Sequence, residues 1–292
     1  MLAHVLDRVM PLEPRRLIFI TGYLGKQIED WVETEYDTEA VFIEQPQMLG
    51  QTDAIIRARE AADQDALILF PDMLFEADFS MITESDADVI AFVKEVPDPS
   101  AYGIAVEQAG QIVRLVEKPQ NPESKMAVIG IYYFRDMADL YSAIVEQFER
   151  KISLKNEYFL ADAVQIMIDR GHKAITAPVT VWEDCGNDIA LLQTNRYLLE
   201  TISDGDPRIP GSSVIEPSFI HESATIESSI VGPYASIGPN AVVQHSIVRD
   251  TIVDQGAQIQ EAILEGSIVG KDAQVRGHAV SVNVGDSSAV RI

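Results

Sequence analysis

Apolar positions in the chain up to Thr201 follow two periods. Arg16–Thr21 (RLIFIT), Val41–Glu44 and Ala66–Phe70 (ALILF) are nearly continuous in apolar residues, the pattern of strands covered on both faces. Asp88–Glu95, Gly103–Val106, Ile112–Val116, Val128–Phe134 and Ala174–Trp182 read as further strands. Between them, Lys26–Tyr36 places Ile28, Trp31 and Val32 at helical spacing, and Asp53–Ala62, Leu140–Phe148, Phe159–Asp169 and Ile189–Thr201 read as helices. Strands alternating with helices predict an α/β domain on a mostly parallel sheet, with ligands at the carboxyl ends of the strands.

The pattern changes after Asp204–Gly211 (DGDPRIPG), whose Gly, Pro and Asp content marks a linker. Ser229-Ile230-Val231-Gly-Pro-Tyr-Ala235-Ser-Ile237 recurs from Thr251 to Ile259 and again from Ser267 to Val275, on the template [ST]-I-V-x-x-x-A-x-[IV]. Aliphatic residues every five or six positions, with small residues at turns, predict short strands on a triangular coil: a hexapeptide β-helix, with a small β-sandwich as the alternative. At about 18 residues per coil, about four coils fit between Val214 and Val280. So short a solenoid exposes an end and is expected to pack against a neighbouring subunit, making a homo-oligomer through the β-helix. The expected organisation is an α/β domain over 1–203, a linker over 204–211 and a β-helix over 212–292.

Charge narrows the range of partners. The 292 residues carry 22 Lys+Arg against 46 Asp+Glu, a formal charge of -24. Phosphate backbones and anionic membrane surfaces require basic patches, so nucleic-acid and membrane partners are not expected. A single Cys excludes an internal disulfide framework and makes a reducing cytoplasm the expected location. The longest apolar run, Ala127–Phe134, is far short of the ~20 residues of a membrane helix.

Several positions can carry chemistry. Asp72 ends the ALILF strand and Asp184 follows Trp182 at the end of another, where carboxylates overlook the ligand crevice. Such a pair can hold Mg²⁺, which takes one or two carboxylates plus substrate phosphates; each can equally cap a following helix. Glu117-Lys118-Pro119 follows a strand, and its lysine can bind a phosphate as a point charge or simply sit in an exposed turn. Gln45 and Gly50 end another strand, where Gln offers a donor and an acceptor to a base edge and Gly permits close backbone approach; Pro46 and Gly50 also fit an ordinary loop. Tyr102-Gly103 opens a strand and Gly130 interrupts an apolar one, marking a bulge or a close ligand. Cys185 has no local His to activate it and reads as a structural thiol. His221, His245 and His278 lie in the repeats, as candidate acyl-transfer bases or as solvated turn residues.

Taken together, these segments resemble the sugar-phosphate nucleotidyltransferases, and within them the glucose-1-phosphate thymidylyltransferases that carry a left-handed β-helix at the carboxyl end. The likeness runs in order from Met1 to about Asn195. Gln45 and Gly50 match the base-reading strand end, and Asp72 the Gly-Asp metal motif. Tyr102-Gly103 through Glu117-Lys118-Pro119 match the sugar-binding segment, and Gly130 in GIYYF the next strand. Glu157 and Asp162 in EYFLADA match Glu-x-x-x-Thr-Asp-Ala, and Trp182-Glu-Asp184-Cys-Gly186 matches Trp-x-Asp-x-Gly. The resemblance implies a Rossmann-like nucleotidyltransferase fold. It also implies that a sugar 1-phosphate oxygen attacks the α-phosphorus of a nucleoside triphosphate and that pyrophosphate leaves. Mg²⁺ would lie on Asp72 and Asp184, with Lys118 on the sugar phosphate and Glu117 on the sugar hydroxyls. Gln45 and Gly50 would read the base, and Tyr102, Gly103 and Gly130 would line the sugar site. Deoxythymidine triphosphate and glucose 1-phosphate are the expected substrates, with uridine triphosphate next. A non-catalytic nucleotide-sugar-binding subunit and a bifunctional enzyme with an acyltransferase β-helix are the alternatives.

The sequence also departs from the family. Members begin with a strand and a Gly-x-Gly-Thr-Arg loop followed by Pro-Lys, whereas Met1–Val9 resembles the helix after that loop. A late start codon or a fragment is expected to account for this, and a missing central strand would leave strand edges unpaired. Pro71 stands for the Gly before the first metal Asp, Asn187 for a usual Thr, and Thr52 where Ala is common.

Overall fold

Leu2, Val5, Leu6 and Val9, at i, i+3, i+4 and i+7, make the opening segment an amphipathic helix, α1 (Leu2–Val9). The computed structural model describes residues 1–201 and 209–277, in two compact units, Met1–Trp182 and Glu183–Ile292. The linker read at 204–211 lies outside the described residues as far as residue 208, as does His278. Among the described residues, no helix is long and apolar enough to cross a membrane.

In the first unit α1 is followed by β1 (Leu17–Thr21), α2 (Gly25–Glu35), β2 (Ala40–Glu44), α3 (Gln51–Arg57), β3 (Ala66–Leu69), β4 (Met73–Ala77) and α4 (Met81–Glu84). Then come β5 (Val89–Glu95), β6 (Gly103–Gln108), β7 (Gln111–Glu117), β8 (Met126–Phe134), α5 (Met137–Glu149), α6 (Leu160–Asp169) and β9 (Ala174–Asp184), whose last two residues belong to the second unit. The sequence pattern missed β4 and α4, which are short and follow the Pro71-Asp72 punctuation.

β1 and β2 pair in parallel as a sheet of their own. Seven strands form the larger sheet, in the order β4-β9-β5-β8-β6-β7 with β3 also on β8. Parallel pairing holds for β1–β2, for β5–β9 and throughout the second unit, but this larger sheet is mixed. β8 runs antiparallel to β3, β5 and β6, and β6–β7 is a hairpin turning at Ala109-Gly110. A short hairpin loop leaves no room for the crossover that parallel pairing requires.

Alternation along β8 feeds two cores. Val128, Tyr132 and Phe134 face α5 and α6, where Leu140, Ile144, Leu160 and Val164 are fully buried. Ile129, Ile131 and Tyr133 face the opposite layer with Phe75, Ile90 and Phe92. Helix α1 serves both sheets: Val5 packs into that second layer, while Leu6 packs with Leu17 of β1 and Val32 of α2.

The second unit begins with the end of β9 and α7 (Asp188–Thr201), followed by β10 (Ser213–Val214), β11 (Phe219–Ile220), β12 (Thr225–Glu227), β13 (Ile230–Val231), β14 (Ser236–Ile237), β15 (Val242–Gln244), β16 (Ile247–Val253), β17 (Gln258–Gln260), β18 (Ile263–Val269) and β19 (Gln274–Arg276). All pair in parallel, residue 230 with 247 and 247 with 263, so a coil takes 17 and then 16 residues. Among the described residues four coils stack on three sides. The first side is β10, β13 and the leading halves of β16 and β18; the second is β11, β14 and their trailing halves; the third is β12, β15, β17 and β19. Val231, Ile237, Val243, Val248, Val253 and Ile259 fill the interior.

Corner positions explain the small polar residues of the repeat. Ser229 Oγ donates to the Glu227 carbonyl and accepts the Ser246 N–H of the next coil (3.1 Å), and Ser246 Oγ repeats this with Gln244 and Ala262. The hydroxyls are buried yet satisfied, which a repeating solenoid can arrange identically in each coil.

Candidate functional site

One edge of β8 organises the first unit's candidates. Along it β3 pairs as far as Leu69–Ile131, and Phe70 N–H donates to the Gly130 carbonyl (3.0 Å). β6 takes over at Gly103–Val128. The handover therefore lies at Gly130, with Asp72 two residues beyond Phe70 on one side and the Gly103–Glu117 pair of the hairpin on the other.

Gly130 has φ +79°, and a Cβ there would stand 2.8 Å from the Phe70 ring. Its missing side chain is thus used by the protein's own phenyl ring. Gly103 lies across the hairpin from Glu117, with 3.0 Å between the space of its Cβ and Glu117 Oε2. Burial pushes the Glu117 carboxyl above its ordinary range; Lys118 opposes this and the Asp162 carboxylate adds to it. Asp162, in the first turn of α6, is itself raised by burial. Lys118 takes a left-handed backbone (φ +42°), places Nζ 3.9 Å from Glu117 Oε1, and lies 5.1 Å over the Phe159 ring. Its side chain is half-exposed, so the ammonium can meet a solvent-borne anion. Tyr102 stacks edge-on against Trp182 at 4.9 Å.

The sequence reading missed Tyr132, although two-residue alternation along β8 puts it on the face of Gly130. It is 5% exposed. Burial and the neighbouring Glu117 carboxylate raise the pKa of its hydroxyl far beyond the usual range.

Gln45 and Gly50 form a second cluster joined to the first. Gln45 Nε2 donates to the Gly50 carbonyl (3.1 Å) and to Asp53 Oδ2 (2.9 Å), and Asp53 in turn takes Arg57. The amide donors are thereby committed within the protein, and the carbonyl oxygen is the atom left to meet a ligand. Gly50 has φ +110°, and a Cβ would lie 2.4 Å from Tyr158 N, so close approach of the protein's own chain already requires glycine here. Thr52 N–H donates to the Tyr158 carbonyl, Thr52 Oγ1 to Gln147 Oε1 (2.9 Å), and Gln147 Nε2 to the Phe159 carbonyl (2.9 Å). Thr52 and Gln147 are fully buried. This staple fixes the Gln45–Gly50 turn to Tyr158–Phe159, the segment beneath Lys118.

Asp72 is exposed and has no ion-pair partner among the described residues. Asp184, in the second unit, ends β9, and its Oδ1 accepts the Gly186 N–H (2.8 Å). It does not cap α7; Asn187 Oδ1 does, accepting from Ala190 N–H at 3.0 Å. The Asn at this position thus has a structural use. Cys185 Sγ lies 3.3 Å from Thr194 Oγ1. His221 Nδ1 pairs with Ser223 Oγ, and His245 is exposed on a left-handed turn.

The donor chemistry fits a hard cation. Asp72 and Asp184 each offer carboxylate oxygen, suited to Mg²⁺, which fills the rest of its shell with water and substrate phosphate. Among the described residues no group of three or more His, Cys, Asp or Glu gathers to hold a metal alone.

Comparison with known proteins gives a concordant picture. A family model described as nucleotidyl transferase matches residues 1–201. A glucose-1-phosphate thymidylyltransferase of Streptomyces griseus is 27% identical over 89% of this chain and 81% of its own length. The bifunctional protein GlmU of Methanocaldococcus jannaschii is 27% identical over 97% of this chain and 73% of its own. Among solved structures, a UDP-glucose pyrophosphorylase complexed with UDP-glucose shares the fold, with a TM-score of 0.59 at 20% identity, over 68% of this chain and 86% of that one.

Proposed function

The chain belongs to the nucleotidyl transferase family, and on that premise we propose that it joins a nucleoside triphosphate to a sugar 1-phosphate. A sugar-phosphate oxygen forms a bond to the α-phosphorus, the bond from that phosphorus to the β-bridging oxygen breaks, and pyrophosphate carries the electron pair away. The observation that carries this reading is the meeting of Gly103, Glu117, Lys118 and Gly130 where β3 gives way to β6 along β8. The relatives' names favour deoxythymidine triphosphate and glucose 1-phosphate, with uridine triphosphate next.

Each residue has a task in this reading. Lys118 holds the sugar phosphate by charge. Glu117 accepts hydrogen bonds from sugar hydroxyls, and Gly103 keeps the space before it open. Tyr102 bounds the sugar site, and Gly130 with Phe70 forms its floor. Gln45 meets the base through its carbonyl oxygen, with Gly50 setting the turn. Mg²⁺ would neutralise charge developing on the phosphates, and Asp72 and Asp184 each offer it carboxylate oxygen.

The test is pyrophosphate release by the full chain from deoxythymidine or uridine triphosphate, glucose 1-phosphate and Mg²⁺. Turnover abolished by a chelator supports the proposal, and no turnover with any nucleotide rejects it. A subunit that binds a nucleotide sugar without turning it over is the second reading. Calorimetric binding of a nucleotide sugar without turnover would support it. We further propose that the β-helix, of the left-handed type its repeats resemble, assembles copies of the chain.

A further inference from the structure

Thr52, in the first turn of α3, and Gln147, near the end of α5, are closed to solvent, and the proposed transfer uses neither directly. Around them α5 and α6 pack through Leu140, Ile144, Leu160 and Val164, so an apolar pair would fill the same space at little or no cost. The polar pair does what apolar groups cannot: its directional bonds fix irregular backbone. Thr52 Oγ1 donates to Gln147 Oε1 (2.9 Å) and lies 3.4 Å from the Tyr158 carbonyl, and Gln147 Nε2 donates to the Phe159 carbonyl (2.9 Å). Gln51 extends the link. Phe159, the N-cap of α6, makes no side-chain cap bond, and Leu160 N–H donates instead to Gln51 Oε1 (3.0 Å). A side chain of α3 thus caps α6, while Tyr158 N–H donates to the Leu49 carbonyl (3.0 Å) and Thr52 N–H to the Tyr158 carbonyl (3.1 Å).

The two segments joined in this way carry the two halves of the proposed site. One is the Gln45–Gly50 turn. The other sets the Phe159 ring under Lys118 at 5.1 Å and carries Asp162, whose charge reaches Glu117. Thr52 and Gln147 touch no ligand themselves, because both are closed to solvent. We propose that Thr52 and Gln147 are positioning residues that make the base-reading turn and the sugar-phosphate segment one body, so that a ligand on either side strengthens binding on the other. The identity of the ligands rests on the nucleotidyl-transfer reading; the link between the segments does not. A ligand that holds Lys118 and Glu117 also steadies the segment beneath them, and through the buried bonds it steadies the turn. The second ligand then has less freedom left to remove, which is positive coupling without a change of shape. The coupling is reciprocal, so a base held at Gln45 favours the sugar phosphate by the same factor.

Amide hydrogen exchange of the full chain, with glucose 1-phosphate as the probe, tests this. Thr52→Val keeps the shape of the side chain and deletes its hydroxyl. Without ligand it should speed exchange at Leu49 and at Leu160 together, by about fivefold or more. Thr52→Ser, which keeps the donor, should restore both. Ile90→Val, a core change in the opposite layer, should favour neither position. In the unsubstituted chain glucose 1-phosphate should slow exchange at Lys118, whose N–H donates to the Tyr102 carbonyl, and also at Leu49 across the buried bonds. In Thr52→Val it should slow exchange at Lys118 alone. Faster exchange at only one of Leu49 and Leu160, or the same pattern in Ile90→Val, would overturn the proposal. So would protection of Lys118 without Leu49 in the unsubstituted chain, or protection of Leu49 undiminished in Thr52→Val. Protection at neither position would instead reject sugar 1-phosphate binding, and the comparison without ligand would decide the positioning role by itself.

Discussion

Gly103 and Glu117 face each other across the β6–β7 hairpin, and the space a Cβ would fill at 103 ends 3.0 Å from Glu117 Oε2. The carboxylate's position is set by the lack of a side chain opposite it. Gly103 does not need a left-handed backbone, and the crowded atom is the far end of a flexible side chain. Gly103→Ala is therefore expected to fold normally, with a melting temperature within a few degrees of the unsubstituted chain. It should weaken sugar 1-phosphate binding about tenfold by pushing Glu117 aside, a loss of about 1.4 kcal/mol. Calorimetric titration beside a thermal melt checks both halves.

Gly50 behaves differently. Its φ of +110° and the Tyr158 backbone 2.4 Å from a Cβ leave no flexible group to yield. Gly50→Ala should destabilise the chain by about 3 kcal/mol or more, from strain and overlap together. Chemical denaturation of the variant should show a clearly lowered midpoint.

Burial raises the Glu117 carboxyl in the folded state, with Asp162 raised in the same sense. A carboxyl raised on folding contributes its stability below its unfolded value and loses it as pH rises through the folded value. The melting temperature should accordingly fall as pH climbs past the usual carboxylate range. Glu117→Gln should flatten that fall while weakening sugar 1-phosphate binding. Equal pH slopes in the two proteins would refute the assignment.

The buried Thr52–Gln147 bond joins the Gln45–Gly50 turn to the segment under Lys118. Thr52→Ala leaves Gln147 Oε1 without its partner and should cost about 1–3 kcal/mol. Combined with Gln147→Leu, the two effects should fall short of additivity by about 0.5–1.5 kcal/mol. Urea denaturation of both single variants and the double variant measures the coupling.

In the second unit, Asn187 caps α7 through the Ala190 N–H. Asn187→Ala should cost about 1 kcal/mol, whereas Asn187→Ser should restore most of it. Thermal melts followed by helix circular dichroism distinguish the two.

The sequence by itself determined most of the strands and helices, though not β4 or α4, and where the solenoid repeats, because these follow from periods of two, of 3.6 and of about six residues that involve only near neighbours in the chain. The order of Gln45, Asp72, Gly103, Glu117, Lys118, Gly130 and Asp184 was legible for the same reason. Tertiary structure alone decided how the strands pair: that the larger sheet is mixed, that β1 and β2 stand as a separate pair, and that β3 and β6 share one edge of β8. It also decided that Gly50 and Gly130 accommodate Tyr158 and Phe70, that the buried Tyr132 hydroxyl feels the Glu117 carboxylate, and that Thr52 answers Gln147. These are contacts between residues far apart in sequence. Their energies arise from packing and from satisfying buried polar groups, neither of which leaves a local period to read.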